Sequence, residues 1–370
     1  MTTRLILVGG FLGAGKTTML WQAAQRLAQR GQRAGLITND QAPELVDTAF
    51  LSRGGAAVAE VNGSCFCCNF KGFLDASVRL AGQADVLIAE PVGSCTDLSA
   101  TIIQPLKERH GVEFTVAPLS VMADPIRLKG VLDGKNAGLH PSAAYICRKQ
   151  LEEADIVVIS KADMVSPADL AVLKDRVSAF WKDTHVCAVS AKTGAGVDAW
   201  LDLVNTGIGA GQRIVDVDYD VYAEGEAVLG WLNGTVALRG KSPDWTAFVE
   251  RLLQRLSQEF DQSGAAVGHV KVILEDGDQF LAGNLTGKTD TRSIRGAAPT
   301  GHEAKLTLNA RVQMPPEKLD AIAQRILATT TESSGLAAKF GAWRCLSPGR
   351  PNPTYRYDHV VATKGPETGI

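Results

Sequence analysis

Residues Gly10-Phe11-Leu12-Gly13-Ala14-Gly15-Lys16-Thr17 fit the pattern G-x-x-x-x-G-K-[ST] and directly follow an apolar run, Leu5-Ile6-Leu7-Val8. The run reads as a buried strand, and beyond Lys16 the residues Met19, Leu20, Ala23 and Leu27 recur at helical spacing. A strand, a glycine-rich turn and a helix N-terminus in that order make a phosphate cradle. Gly10, Gly13 and Gly15 let backbone N–H groups turn onto a β-phosphate, Lys16 bridges the β- and γ-phosphates, and the Thr17 hydroxyl is placed to ligate Mg2+. Ala14 and Thr18 belong to the same nucleotide-binding set, and the helix dipole adds to the anion site.

Composition narrows the partners. With 38 Lys and Arg against 40 Asp and Glu in 370 residues, the formal net charge is −2, which leaves no basic footprint for nucleic acid and no polybasic membrane anchor. No apolar run approaches the ~18 residues of a membrane helix, and the stretch behind Arg4 is taken up by the first strand rather than a leader. Seven cysteines, at 65, 67, 68, 95, 147, 187 and 345, suit a reducing compartment, where clustered thiols bind metal or do redox work. The expectation is a cytoplasmic protein that meets small molecules and other proteins.

Up to about residue 205 buried strands alternate with amphipathic helices, the pattern of an α/β fold with a mostly parallel sheet flanked by helices. Strands are expected at 4–8, 33–38, 56–61, 85–90, 114–122, 155–160 and 185–189, and helices at 16–30, 71–82, 97–109, 167–181 and 196–204. This P-loop NTPase domain is assigned to 1–207, a Gly-rich linker to 208–215, a smaller C-terminal α+β domain to 216–335 and an irregular tail to 336–370. The second domain shows strand patterns near 226–238, 268–275, 279–285 and 304–313, with Asp276-Gly277 as a hairpin turn. One of its helices starts at Ser242 as N-cap and aligns Trp245, Phe248, Val249, Leu252, Leu253, Leu256 and Phe260; another follows Pro315-Pro316.

Three strand tips carry further chemistry, as the carboxyl ends of parallel strands do. Ser160-Lys161-Ala162-Asp163 fits [NTS]-K-x-D: Asp163 can accept the paired N1–H and N2–H donors of guanine, which adenine lacks, while Lys161 lays its stem over the base. Ser190-Ala191-Lys192 follows the next strand and brings an N–H near Ala191 to guanine O6, so GTP is the expected nucleotide. Glu90-Pro91-Val92-Gly93 closes the strand at 85–89; Glu90 can hold Mg2+ through a water, and the Gly93 N–H can meet the γ-phosphate and register its loss. Asp40, closing the second strand, can reach Mg2+ or the attacking water. Lys16, Asp40 and Glu90 form the candidate catalytic set.

Asn62-Gly63-Ser64-Cys65-Phe66-Cys67-Cys68 places three thiols within four residues. Cys65, Cys67 and Cys68 suit a soft ion such as Zn2+ or Co2+, with Cu(I) chemically open. A fourth ligand could come from Cys95, Glu60, water or a client protein; the cluster could equally be a structural zinc site, and Cys95 a small buried hydrophobe.

Together, residues 9–18, Cys65–Cys68, Glu90-x-x-Gly93 and Ser160–Asp163 resemble the CobW-like family of metal-chaperone GTPases, relatives of the hydrogenase and urease nickel-insertion GTPases. The resemblance covers residues 1–205 and implies slow GTP hydrolysis coupled to capture and transfer of a metal, with Cys65, Cys67 and Cys68 as its thiols. It also implies a client metalloprotein, met through the switch segments or the C-terminal domain, and is compatible with a nucleotide-dependent dimer. The chain lacks a His-rich run, its six histidines being scattered, which argues against metal storage. Two other readings stand beside the metallochaperone: a nucleotide-gated assembly factor for a corrinoid or other metalloenzyme, and a P-loop phosphotransferase with a structural zinc.

Overall fold

The apolar run after Arg4 becomes β1 (Thr3–Gly10), whose last six residues are all buried because helices cover both faces of its sheet. The computed structural model describes residues 2–39, 46, 51, 56–286 and 292–362. They divide into two units, one made of Met1–Gln41, Leu51–Tyr222 and Arg350–Ile370, the other of Ala42–Phe50 and Ala223–Gly349.

In the first unit β2 (Ala34–Asn39), β3 (Ala57–Val61), β4 (Val86–Glu90), β6 (Ser120–Ala123), β7 (Ile156–Ile159) and β8 (His185–Ala188) join β1 in the order β3-β2-β4-β1-β6-β7-β8. All pairings are parallel, and Leu7 lies opposite Ala89, Thr38 opposite Glu90 and Asn39 opposite Val61. The strand expected over 114–122 is two. Pro118, with no N–H to give a ladder, separates β5 (Phe114–Val116), paired with Thr3–Leu5, from β6, paired with Val8–Gly10. The helix expected over 97–109 opens as a π-turn, Ser99–Ile103, before the α-helix Gln104–Arg109. Two helices without an expectation, Pro125–Leu132 and Pro141–Glu152, each begin with proline in the first turn behind a capping side chain, Asp124 or His140.

Residues 208–215, the expected linker, are tied to the first unit. Asp155 accepts N–H bonds from Leu119, Gly211 and Gln212 at 2.7, 2.7 and 2.9 Å, while Gln104 and Lys107 donate to the carbonyls of Gly211 and Ala210.

The second unit is an antiparallel sheet ordered β12-β11-β10-β13-β9-β14, from β9 (Gly230–Arg239), β10 (Val267–Asp276), β11 (Gln279–Leu285), β12 (Ser293–Ala297), β13 (Glu303–Val312) and β14 (Ala337–Leu346). Helices Trp245–Gln262 and Pro316–Ser333 bury Phe248, Leu252, Leu256 and Leu327 with Val270 and Leu308 of the sheet. The first of these is capped by Asp244, which accepts the Ala247 N–H at 2.9 Å, and not by Ser242. The start of the strand expected at 226–238 is instead the end of helix Tyr219–Ala227. Part of the expected tail is likewise β14: it pairs with β9 at the sheet edge, Trp343 lying over Gly234 where any side chain would clash. Its mostly exposed residues lack strand alternation, so the sequence carries no sign of it. Among the described residues no helix is long and apolar enough to cross a membrane.

Replacing Asp155 by Ala strands two buried N–H groups, of Leu119 and Gly211, and a third, of Gln212, that is partly buried. Chemical denaturation should show a loss on the order of 3 kcal/mol; a change within experimental error would mean that the 208–215 segment is not held by this carboxylate.

Candidate nucleotide and metal site

The phosphate loop leaves β1 at Gly10, whose φ of 131° and closeness to the Met122 carbonyl admit no side chain. Gly13 and Gly15 also have positive φ, and Gly15 precedes helix Lys16–Gln29. Lys16 is buried, donating to the Gly10 carbonyl at 2.7 Å and lying 3.8 Å from Glu90. The Thr17 hydroxyl donates to Glu90 Oε1 at 3.2 Å. A Cβ on Gly93 would come 3.2 Å from Leu12 Cα, so this glycine allows the 90–93 segment to rest on the loop. Lys16, Thr17, Glu90 and Gly93 thus converge as the sequence pattern requires, with Ala14 buried and Thr18 half-buried beside them. Asp40 lies outside the described residues.

The loop expected to read the base is built from two strand tips. Lys161 takes a left-handed φ of 52° ahead of the short turn Ala162–Met164, and burial lowers its pKa. The exposed Asp163 accepts the Ser190 hydroxyl at 2.6 Å, and Ser190 Oγ in turn accepts the Thr193 N–H at 3.2 Å. Ser190 therefore orients the carboxylate. Ser160 Oγ is buried with no hydrogen-bond partner among the described residues. The Ala191 carbonyl accepts from Gln22 at 3.1 Å, joining this loop to the phosphate-loop helix, and Lys192 is exposed.

The thiols form one group. Cys65 Sγ lies 3.0 Å from Cys67 Sγ and 3.1 Å from Cys68 Sγ, and those two are 3.8 Å apart. Zn–S bonds of about 2.3 Å give sulfur–sulfur edges of about 3.8 Å in a tetrahedron, so these residues fit a thiolate-bound ion after a small expansion about Cys65. Hydrogen bonding with Cys67, Cys68 and Cys95 holds Cys65 well below the ordinary thiol range. Cys67 is pushed the other way and Cys68 up to about 11, in each case first by the bond to Cys65. Cys95, a candidate fourth ligand, bonds Cys65 but stands outside the set of sulfurs within 4.8 Å of one another, which is Cys65, Cys67 and Cys68.

Residues 4–187 match the family described as CobW/HypB/UreG, nucleotide-binding domain. The chain carries a CobW/HypB/UreG nucleotide-binding domain. Zinc chaperone YeiR of Escherichia coli (strain K12) is 31% identical over 177 residues, 45% of this chain and 48% of that protein, so the match spans about half of the relative's length. Zinc chaperone CobW of Sinorhizobium sp is 25% identical over 283 residues, covering 66% of this chain and 75% of its own. The solved structure of the Zn(II)-bound YjiA GTPase from E. coli aligns over 90% of this chain and 99% of its own, at 14% identity and a TM-score of 0.35.

Within the CobW/HypB/UreG domain, several side chains that hold the site have no motif. Asn39, at the tip of β2, donates to the carbonyls of Val61 and Ser64 at 2.9 and 2.8 Å and accepts the Phe66 N–H at 2.9 Å. One amide thereby fixes the thiol loop, and an Asn ending a buried apolar strand is the signal that could have marked it. Gln150 donates to the carbonyls of Gly93 and Cys95 at 3.0 and 2.7 Å. Arg127 donates to the Leu12 carbonyl and lies over Phe11. Glu153, fully buried, accepts from the Thr96 hydroxyl and the Ser99 N–H at 3.1 and 2.9 Å. Burial first, then the nearby Asp97 charge, pushes its pKa up to about 8.

The folded protein therefore keeps a proton on Glu153 that the unfolded chain gives up above the ordinary glutamate value of 4.5. The associated stability is complete below that value and is lost as pH rises through about 8. Urea melts should show wild type weakening relative to Glu153→Gln by up to about 1.4 kcal/mol per pH unit across that window; parallel pH profiles would show that Glu153 is already ionised in the folded state.

Proposed function

We propose that this chain is a GTP-hydrolysing metallochaperone, or metal-dependent activator, that couples its nucleotide state to capture and release of a divalent ion for a client metalloprotein. One observation carries the reading: the thiol loop is pinned by Asn39 at the tip of β2, β2 pairs with β4 so that Thr38 faces Glu90, and Glu90 touches both Lys16 and Thr17. Movement of the β4 tip on loss of a γ-phosphate has a short mechanical path to the thiols.

In this reading Asp163, oriented by Ser190, selects guanine, with Ser160, Lys161, Ala191 and Lys192 around the base. Gly10, Gly13, Ala14, Gly15 and Thr18 line the phosphates. Lys16 would leave the Gly10 carbonyl for the β- and γ-phosphates. Mg2+, held by Thr17 and through water by Glu90, would neutralise charge developing on the phosphates. Asp40 is the proposed partner of the attacking water, and Gly93 reports the γ-phosphate through its N–H. Cys65, Cys67 and Cys68 take the ion as thiolates, Zn2+ being the favoured cargo and Co2+ the alternative, and binding releases the protons they carry. Hydrolysis should be slow without an activator.

Two variants test the halves separately. Asp163→Asn should weaken GTP binding by tenfold or more, about 1.4 kcal/mol, and gain xanthosine triphosphate; unchanged selectivity would remove the base assignment. Replacing Cys65, Cys67 and Cys68 together by Ser should abolish the thiolate-to-Co2+ absorption bands while leaving GTP affinity intact. Persistence of those bands would place the metal elsewhere.

A further inference from the structure

The last described residues of the first unit run along the thiol loop. The Thr354 N–H donates to the Cys67 carbonyl at 2.8 Å and its hydroxyl to the Cys68 carbonyl at 3.2 Å. The Asn352 N–H donates to Cys68 Sγ at 3.2 Å. Tyr355 packs edge-on against Phe70, at the start of helix Phe70–Ala81 just beyond the thiols, with centroids 5.2 Å apart. Arg356 Nε donates to Asp97 Oδ2 at 2.7 Å, and the N–H groups of Tyr357 and Val361 reach Ala100 O and Gln104 Oε1 at 3.1 and 2.9 Å.

We propose that residues 351–361 are a strap that closes the thiol site, and that the Arg356–Asp97 pair latches it to the segment following Gly93, so that metal enters and leaves when the strap lifts. This goes beyond the chaperone reading and rests on it for the identity of the metal thiols.

Three features argue for a gate rather than a passive tail. Pro351 and Pro353 have no N–H and restrict the backbone on either side, so Asn352 presents the one main-chain N–H of that tripeptide to the sulfur. An amide bond to a coordinating sulfur both orients it and disperses its charge, the usual means by which surroundings tune a thiolate site. The latch ties the strap to the nucleotide: Asp97 is 1% exposed, sits at a left-handed φ of 64° and shares Oδ2 with the Tyr219 hydroxyl at 2.8 Å, while Arg356 is 34% exposed. Losing Arg356 would leave a buried carboxylate poorly compensated unless the 93–97 segment moved as well. Strap release and movement behind Gly93 therefore favour each other, as linkage requires.

The test uses the full chain with Asn352→Pro, which deletes the N–H, Asn352→Ala, which keeps it, Arg356→Ala and Arg356→Lys. In metal-free protein, reaction of the clustered thiols with an aromatic disulfide is followed, taken by difference against the Cys65/Cys67/Cys68→Ser variant. Asn352→Pro and Arg356→Ala should react several-fold faster than wild type, with Asn352→Ala and Arg356→Lys near it. Release of Zn2+ to a chelator should quicken about tenfold in the first pair. GTP-analogue affinity reports that each variant is folded, and Arg356→Ala alone decides the matter if Asn352→Pro is not. Wild-type rates in Arg356→Ala would overturn the strap. Faster thiol reaction without any Zn2+ binding in wild type would sink the metal reading and uphold the strap as a cover over the thiols.

Discussion

Parallel pairing of β2, β4 and β1 is the constraint on which the rest of the site depends. Because Thr38 lies opposite Glu90 and Leu7 opposite Ala89, the three strands end at one edge, with Asn39, Glu90 and Gly10 at their tips. A one-residue slip in a parallel ladder would turn every side chain to the other face. It would separate Glu90 from Thr17 and detach Asn39 from the thiol loop. The buried apolar runs on both faces of the sheet hold this register, so core packing in the first unit is also what aligns Glu90 and the phosphate loop with the thiol loop.

Charge at that edge is confined. Lys16 and Glu90 are both buried and 3.8 Å apart, and the Lys16 ammonium also has the Gly10 carbonyl, an arrangement that offsets the desolvation of either group alone. The thiols solve the same problem differently: hydrogen bonding among Cys65, Cys67, Cys68 and Cys95 holds the Cys65 thiol well below its ordinary range, which eases a negative charge there. Farther in, Glu153 avoids the cost of burial by staying protonated, so the hydrogen bonds that Thr96 and Ser99 make to it bear on the 93–97 segment without placing another anion there.

Local chemistry was legible in the sequence, and remote support was not. The phosphate loop, the Ser160–Asp163 and Ser190–Lys192 loops and the thiol triplet are each marked by a few consecutive residues whose types the proposed chemistry dictates. Helix faces such as Trp245–Phe260 were legible because burial imposes a period. Asn39, Gln150 and Arg127 act on backbone atoms far away in sequence, so only the fold gives them meaning. The division of 114–122 turned on a single Pro118, and β14 on an edge strand without alternation. Pro351, Asn352 and Pro353 read as irregular chain; the Tyr355-Arg356-Tyr357 cluster beside them, unusual for a loose tail, was the overlooked sign of a docked segment.

The central claim is that nucleotide and metal share one free energy. Its most direct measurement is a closed binding cycle: Zn2+ affinity with a non-hydrolysable GTP analogue and with GDP, and the affinity of each nucleotide with and without saturating Zn2+. The account predicts that exchanging GDP for the analogue changes Zn2+ affinity by about tenfold or more, roughly 1.4 kcal/mol, and that Zn2+ changes the analogue-to-GDP preference by the same factor. Zn2+ affinity independent of the bound nucleotide would contradict it.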